Sequence, residues 1–257
     1  MSGEVAPAPA AVLGISGERV RGRSKYFLGV AVLLLALVLT GFGRTFFARP
    51  FFEVPPIPWY LFVHGFVLAC WFVLLFAQTV LVAARRTDLH RRLGVLGGVV
   101  AVALVGMSLV AVLGFPAHVK ANILSIDETF PVDVVRTVVW TDLASLLIFS
   151  TFVGTALYWR RRSDVHKRLM LLASMAILGP AVARIISLLA PPLVLGAAIQ
   201  VLAGIGLPLT VVLYDLVATR RVHRTTVVGV VATLVATFGA VAIANTGAGA
   251  AFVTALE

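Results

Sequence analysis

The chain has 257 residues, of which 60% are hydrophobic and only 12% charged, and its mean hydropathy is +1.04. A soluble domain is about 45–50% apolar and about 25% charged, so this composition excludes an ordinary soluble protein and predicts a multi-pass membrane protein. The net charge of +10 does not indicate nucleic-acid binding, because the basic residues lie in short segments between apolar runs. The single cysteine, Cys70, excludes an intrachain disulfide and a thiolate metal cluster.

The apolar residues form runs of about 20, the length of helix that crosses ~30 Å of hydrocarbon. Residues 1–24, rich in Ala, Pro, Gly and charge, precede the first run and are predicted to form a disordered cytoplasmic tail. The seven predicted transmembrane helices cover residues 26–42, 58–84, 93–114, 136–158, 167–189, 193–219 and 226–244. The sequence therefore predicts an all-α membrane bundle over residues 25–246 with a short external tail, residues 247–257.

Two features modify these helices. Four glycines allow the third helix to approach a neighbour closely: Gly94, Gly97, Gly98 and Gly106. In the fifth helix, Gly179 and Pro180 predict a kink, because proline lacks a backbone donor.

Two charged segments of the chain are alike. Residues 85–94 and 161–170 each follow one apolar run and open another, and we call them the first and second elbows. Both elbows contain the pattern Asp-x-His-x-Arg-Leu, at an offset of 76 positions. Asp88 and His90 therefore match Asp164 and His166. The sequence predicts a duplicated helical hairpin, made of the second and third helices and of the fourth and fifth.

The orientation follows from the distribution of lysine and arginine. Sixteen of these residues lie in the N-terminal tail and in the segments after the second, fourth and sixth helices, whereas four lie on the opposite side. Positively charged loops stay in the cytoplasm. We therefore predict a cytoplasmic N-terminus, an external C-terminus and a bacterial inner (plasma) membrane location.

The elbow residues admit two interpretations. Asp88 and Asp164 precede apolar helices, where an aspartate can cap free backbone N–H groups and meet the positive end of the helix dipole; the histidines are then ordinary interfacial side chains. Alternatively, His90 and His166 lie at matching depth and are possible axial ligands of a haem b. His64 and His118 are a second possible ligand pair.

Ionisable residues within membrane helices are costly and are candidates for function. His64, Asp142 and Arg184 each lie about six residues from the external end of a predicted helix, which places all three ~9 Å below the boundary. Trp71 and Gln78 continue the helical face of His64 at intervals of seven. The group predicts either a structural Asp142–Arg184 ion pair or an outward-facing ligand pocket.

Further polar residues suggest two other contacts, a metal site and an ion pair. A metal site formed by His64, His118, Asp127 and Glu128 matches no strong ligand spacing. Asp215, near the cytoplasmic end of the sixth helix, is expected to pair with an elbow arginine. The sequence contains no phosphate-binding glycine loop, nucleophile elbow, zinc-protease histidine pair or dinucleotide fingerprint.

The elbow motifs, with His64 and Arg184, resemble a group of uncharacterised bacterial membrane proteins, domain of unknown function 2306, over roughly residues 58–190. The second elbow continues Leu-Met-Leu-Leu where that group has a tryptophan. The resemblance implies a multi-helix membrane protein without an assigned activity. More distantly, paired histidines on four helices are similar to transmembrane b-type cytochromes, which place them deeper in the helices.

Taken together, the residues predict an integral membrane protein of unknown specific activity. Its expected role is that of a binding or accessory protein, not an enzyme, with an external polar pocket formed by His64, Asp142 and Arg184. The alternatives are a haem b redox protein and a transporter of a small anionic solute. The expected partners are the lipid bilayer and other membrane proteins.

Overall fold

The computed structural model describes residues 11–54, 56–124, 132–189 and 193–257. Side chains are described for all of these residues except 11–24, 123–124, 132 and 193–203. Nine α-helices occupy these ranges, together with short π- or 3-10-helical turns at Gly43–Phe47, Arg49–Phe51 and Lys120–Leu124. The described residues contain no β-strand. The helices are α1 Ala11–Gly41, α2 Trp59–Ala83, α3 Thr87–Val119, α4 Val132–Tyr158, α5 Ser163–Ala176, α6 Gly179–Leu189, α7 Leu193–Thr219, α8 Arg224–Ala244 and α9 Gly247–Thr254.

Among the described residues, four helical segments are long and apolar enough to cross a membrane: Trp59–Ala83, Thr87–Asn122, Asp133–Tyr158 and Arg224–Ala244. Helices α5 and α6 form a fifth such segment if the bent pair is counted as one span. Two further apolar helical segments, Lys25–Gly41 and Gly204–Thr219, are shorter. The described part of the chain is thus all-helical, with four or five helices of membrane-spanning length.

The bend between α5 and α6 is 48° and lies immediately before Gly179 and Pro180, where the kink was expected. Proline has no N–H to donate to the carbonyl four residues earlier, so the helix is interrupted at Ile177 and Leu178. The short α6 that follows packs against α1 and α7. The break therefore places Arg184 on a separate helix from the second elbow.

The helix boundaries differ most from the sequence prediction in three places. Helix α1 begins at Ala11, within the segment assigned to a disordered tail, while residues 1–10 lie outside the described residues. Helix α3 begins at Thr87 and extends to Val119, so the first elbow from Thr87 on and part of the following loop are helical. The C-terminal tail contains α9, which packs against α4 and α8. In each case tertiary packing or continuation of an existing helix extends order into segments of polar or small residues.

The three tight connections α2–α3, α4–α5 and α7–α8 meet at one end of the bundle, which we call the elbow end. His90 and His166 link the first two connections, and Asp215 contacts both Arg168 of the second and His223 of the third. The main hydrophobic core extends from this end, contains residues from all of the helices α1 to α8, and includes fully buried Phe72 and Phe149.

A smaller core lies at the opposite end of the bundle, which we call the far end. Val253 of α9 packs there against valines of α3 and α4. The indole N–H of Trp140 donates to the carbonyl of Gly249 at 3.2 Å, and the Lys120 ammonium pairs with the Glu257 carboxylate at 3.1 Å. These contacts hold the C-terminal helix on the bundle.

Candidate functional site

Arg184 is the centre of the predicted intramembrane site. It lies on α6, and its Nη1 donates to the carbonyl of Pro180 at 3.2 Å. Its guanidinium carbon lies 4.5 Å from the centre of the Phe42 ring, a cation–π geometry. Among the described residues, no carboxylate lies within 4.0 Å of the Arg184 guanidinium.

The other two predicted members lie near Arg184 without contacting it directly. Arg184 interacts electrostatically with Asp142 on α4 and with His64 on α2. The Nδ1 atom of His64 is 3.4 Å from the hydroxyl oxygen of Ser108 on α3. We call His64, Asp142 and Arg184 the Arg184 cluster. The three residues interact across α2, α4 and α6, but the direct Asp142–Arg184 ion pair, one of the two alternatives left open by the sequence, is not formed.

Trp71 and Gln78 share the helical face of His64 but do not join the Arg184 cluster. The Trp71 indole N–H donates to the Ser174 hydroxyl at 3.1 Å, and its ring packs edge-on against Phe149 with centroids 4.9 Å apart. Trp71 is therefore a core residue. Gln78 lies closer to the elbow end, where its Nε2 atom is 3.8 Å from the position that a Cβ on Gly94 would take.

The two elbow histidines lie next to each other. The ring centroids of His90 and His166 are 6.3 Å apart, with the planes at 87°. The Nδ1 atom of His166 is 2.9 Å from the carbonyl oxygen of Ala156, a contact that favours a proton on Nδ1 and a free lone pair on Nε2. In the part of the chain that the structure describes, His90 Nδ1 and Gln78 Oε1 are buried without a hydrogen-bond partner.

His118 lies apart from both groups. Its Nδ1 is 3.2 Å from the amide nitrogen of Asn122, which also donates to the His118 carbonyl. Asp127 and Glu128 of the proposed metal site lie outside the described residues. Among the described residues, no three His, Cys, Asp or Glu side chains are grouped as metal ligands.

The two elbow aspartates do not cap their helices as expected. The N-cap residues of α3 and α5 are Arg86 and Arg162, and neither helix has a side-chain capping hydrogen bond there. Asp88 and Asp164 lie two residues further on and pair with basic side chains instead. Asp88 is 3.7 Å from Arg86, and Asp164 is 3.0 Å from Lys167. Both carboxylates remain in the first helical turn, where the dipole favours negative charge.

Sequence reasoning anticipated an elbow arginine for Asp215, and the partner is Arg168. Arg168 is 2% exposed and Asp215 is fully buried. Arg168 Nε donates to both carboxylate oxygens at 3.0 and 3.2 Å, and Nη2 makes a further short bond. The backbone N–H of His223 and the hydroxyl of Thr226 also donate to Asp215. This network ties α5, α7 and α8 together at the elbow end.

Three contacts of the site were missed from the sequence. These contacts are made by Ser108 of α3 to His64, by Phe42 in the turn after α1 to Arg184, and by the Ala156 carbonyl of α4 to His166. No periodicity or spacing in the chain indicates these pairings, because they depend on how the helices pack.

Comparison with protein-family models, curated proteins and solved structures finds no match for this chain.

Proposed function

We propose that the protein is a seven-span inner-membrane protein, with a cytoplasmic N-terminus and an external C-terminus, that binds a small anionic ligand at the Arg184 cluster. Its role is that of a binding or accessory protein. The observation that carries the proposal is the guanidinium of Arg184, which has no carboxylate within 4.0 Å among the described residues although Asp142 lies within electrostatic range.

An unpaired charge among membrane helices is unfavourable by about 2.5–3.5 kcal/mol on insertion scales. Asp142 offsets part of this cost from a distance. A carboxylate or phosphate group could make the direct hydrogen bonds to the Arg184 guanidinium fork that Asp142 does not make, and would compete with Asp142 for this charge. His64 is suited to the same ligand as a second polar contact.

The orientation and the duplicated hairpin are part of the proposal. The elbow end gathers the basic residues of all three tight connections, as expected of a cytoplasmic face. Helices α3 and α5 begin at Thr87 and Ser163, which are 76 positions apart like the matched motif residues. The resemblance to the uncharacterised membrane-protein group stays a prediction.

The test is thermal unfolding of the purified protein in detergent, with inorganic phosphate, sulfate and succinate as probes. We expect at least one probe to raise Tm saturably. Arg184→Gln should abolish the rise and Arg184→Lys should keep part of it. Arg136→Gln is the matched control, because Arg136 pairs with Asp133 at 3.1 Å near the far end and should leave the rise unchanged.

Asp142→Asn separates a ligand site from a structural pair. If an anion binds at Arg184, removing the competing carboxylate should strengthen its binding. If the two residues only balance each other, Asp142→Asn and Arg184→Gln should each reduce the yield of folded protein, and the double variant should restore it. Uptake of the stabilising anion into proteoliposomes would show that the protein is a transporter of that anion and not only a binding protein.

A second candidate function is haem b binding at the elbow histidines. The 6.3 Å between the ring centroids places two imidazoles close enough for one iron to lie between them. The contact of His166 Nδ1 with a backbone carbonyl is typical of metal-ligating histidines, and the unpartnered Nδ1 of His90 is available. When bound, haem would supply one-electron chemistry at this end of the bundle.

An absorbance spectrum before and after dithionite tests the haem candidate. We expect a Soret band and a sharpened α band, both lost in His90→Ala and His166→Ala. His118→Ala is the control, since His118 lies with Asn122 away from the elbow end. Protein without a Soret band after expression with ample haem excludes this candidate and leaves the Arg184 cluster.

A further inference from the structure

Helices α3 and α5 carry matched residues on one face in opposite environments. The 76-position offset of the elbows extends into the helices and pairs four large apolar residues of α3 with three of α5 and with Leu178, which lies in the break just after α5. The members in and after α5 are buried, at 1–6% exposure, and the α3 members are exposed, at 52–75%. The pairs are Leu171 and Val95, Leu172 and Leu96, Met175 and Val99, and Leu178 and Val102.

The face of α5 is covered by later helices of the same chain. Arg168, at its elbow end, is neutralised by Asp215 of α7. Leu172 packs against α8 so closely that its Cδ1 lies 2.5 Å from where a Cβ on Gly229 would be. This face of α5 is thus covered by the apolar helix α8 and by the carboxylate of Asp215 from α7.

The face of α3 is also basic at its elbow end and mostly apolar beyond it, but none of the described residues covers it. We define the α3 face as Arg92, Val95, Leu96, Gly98, Val99 and Val102. Two shallow apolar grooves run along it, of about 390 Å³ beside Arg92 and Leu96 and about 520 Å³ beside Val95, Gly98 and Val102. Gly98 has nothing within 4 Å of its missing Cβ, so a second helix has room to approach.

Arg92 is the residue that distinguishes this face from an ordinary lipid-facing surface. It matches Arg168, yet it is exposed, and no carboxylate lies within 4.0 Å of it among the described residues. By the pattern of α5, the missing cover is an apolar helix that brings a carboxylate to the elbow end.

We propose that the cover is the α3 face of a second copy of this chain, packed in parallel around a two-fold axis. Asp88 lies one turn before Arg92 on α3, and its side chain is 63% exposed. In a two-fold pair, Asp88 of each copy meets Arg92 of the other, so the charges are neutralised twice by one self-complementary surface. This proposal is independent of a ligand at Arg184.

Cysteine crosslinking in membranes tests the interface. In a Cys70→Ser background, Val99→Cys should give a disulfide-linked dimer on oxidation with copper phenanthroline and oxygen, which remove one electron and one proton from each thiol. Val235→Cys is the matched control. It lies at nearly the same depth in α8 and is similarly exposed, at 67% against 62%. Equal crosslinking at both positions would overturn the proposal.

Charge exchange identifies the contact without relying on a destabilised variant. In nanodiscs, Arg92→Glu should lower the dimer fraction about tenfold, because two carboxylates then meet across the axis. Adding Asp88→Arg to Arg92→Glu should restore the dimer. The proposal would be overturned if the wild-type protein is monomeric in bilayers, or if the double variant does not regain the wild-type dimer fraction. Either result is expected if an anionic lipid, and not a second copy, pairs with Arg92.

Discussion

Arg168 and Asp215 form a bidentate ion pair that is closed to solvent at the elbow end, with His223 and Thr226 completing the hydrogen bonds of the carboxylate. Removing one partner leaves the other charge buried, which costs about 3–5 kcal/mol. We expect Arg168→Gln or Asp215→Asn to lower Tm sharply in detergent. Arg161→Gln, an exposed elbow arginine, should change Tm little.

The double variant Arg168→Met with Asp215→Leu separates two contributions to the free energy of unfolding. One is the cost of leaving a single buried charge without its partner, and the other is the stabilisation that the ion pair itself provides. Buried pairs replaced by apolar residues are often neutral in stability. Recovery of Tm to near the wild-type value is expected. A double variant as unstable as the single ones would show that the pair itself, with its bonds to His223 and Thr226, holds the third connection in place.

Gly41 lies where α1 comes closest to α6. A Cβ at this position would be 2.5 Å from the carbonyl oxygen of Ala181 and 2.9 Å from its Cα, and backbone atoms cannot rotate away. We expect Gly41→Ala to destabilise the protein by about 1–3 kcal/mol, the usual cost of overpacking. Gly29→Ala is the control on the same helix, because no atom lies within 4 Å of its Cβ position and alanine favours the helix.

This close approach shows what the sequence could and could not predict. The glycines of α3 were expected to permit helix contact, but Gly98 and Gly106 have no atom within 4 Å of the missing Cβ. The sequence shows that a small residue is present on a helix. It does not show which helix, if any, packs against that residue, because this depends on how the helices are arranged. Gly41 stands at a helix end, where no periodic pattern marks it.

The candidate site follows the same rule. Position along a helix can be read from the sequence, because each residue adds a fixed rise to a helix, and His64 and Asp142 each interact electrostatically with Arg184. The predicted depth below the membrane boundary stays a prediction. Rotation about the helix axis was not readable. Trp71 and Gln78 follow His64 at intervals of seven, yet Trp71 bonds to Ser174 in the core.

The Trp71–Ser174 hydrogen bond gives a prediction for the core. Both side chains are buried, at 2% and 0% exposure, and the N–H···O distance is 3.1 Å. Ser174→Ala leaves the indole N–H without its acceptor, at a cost of about 1–3 kcal/mol. Trp71→Phe combined with Ser174→Ala removes both polar groups and should lose less stability than the sum of the single changes, as measured by a double-mutant cycle in thermal unfolding.

The backbone of the first elbow is strained at Arg85. Arg85 has a φ of 60°, in the left-handed region that disfavours a residue with a Cβ by about 1–2 kcal/mol. Glycine is the usual residue where a helix ends in this way. We therefore expect Arg85→Gly to raise Tm. Arg161 occupies the matched position of the second elbow without a positive φ, so Arg161→Gly removes the same charge without relieving strain. A Tm gain shared equally by both variants would assign the effect to charge and not to the backbone.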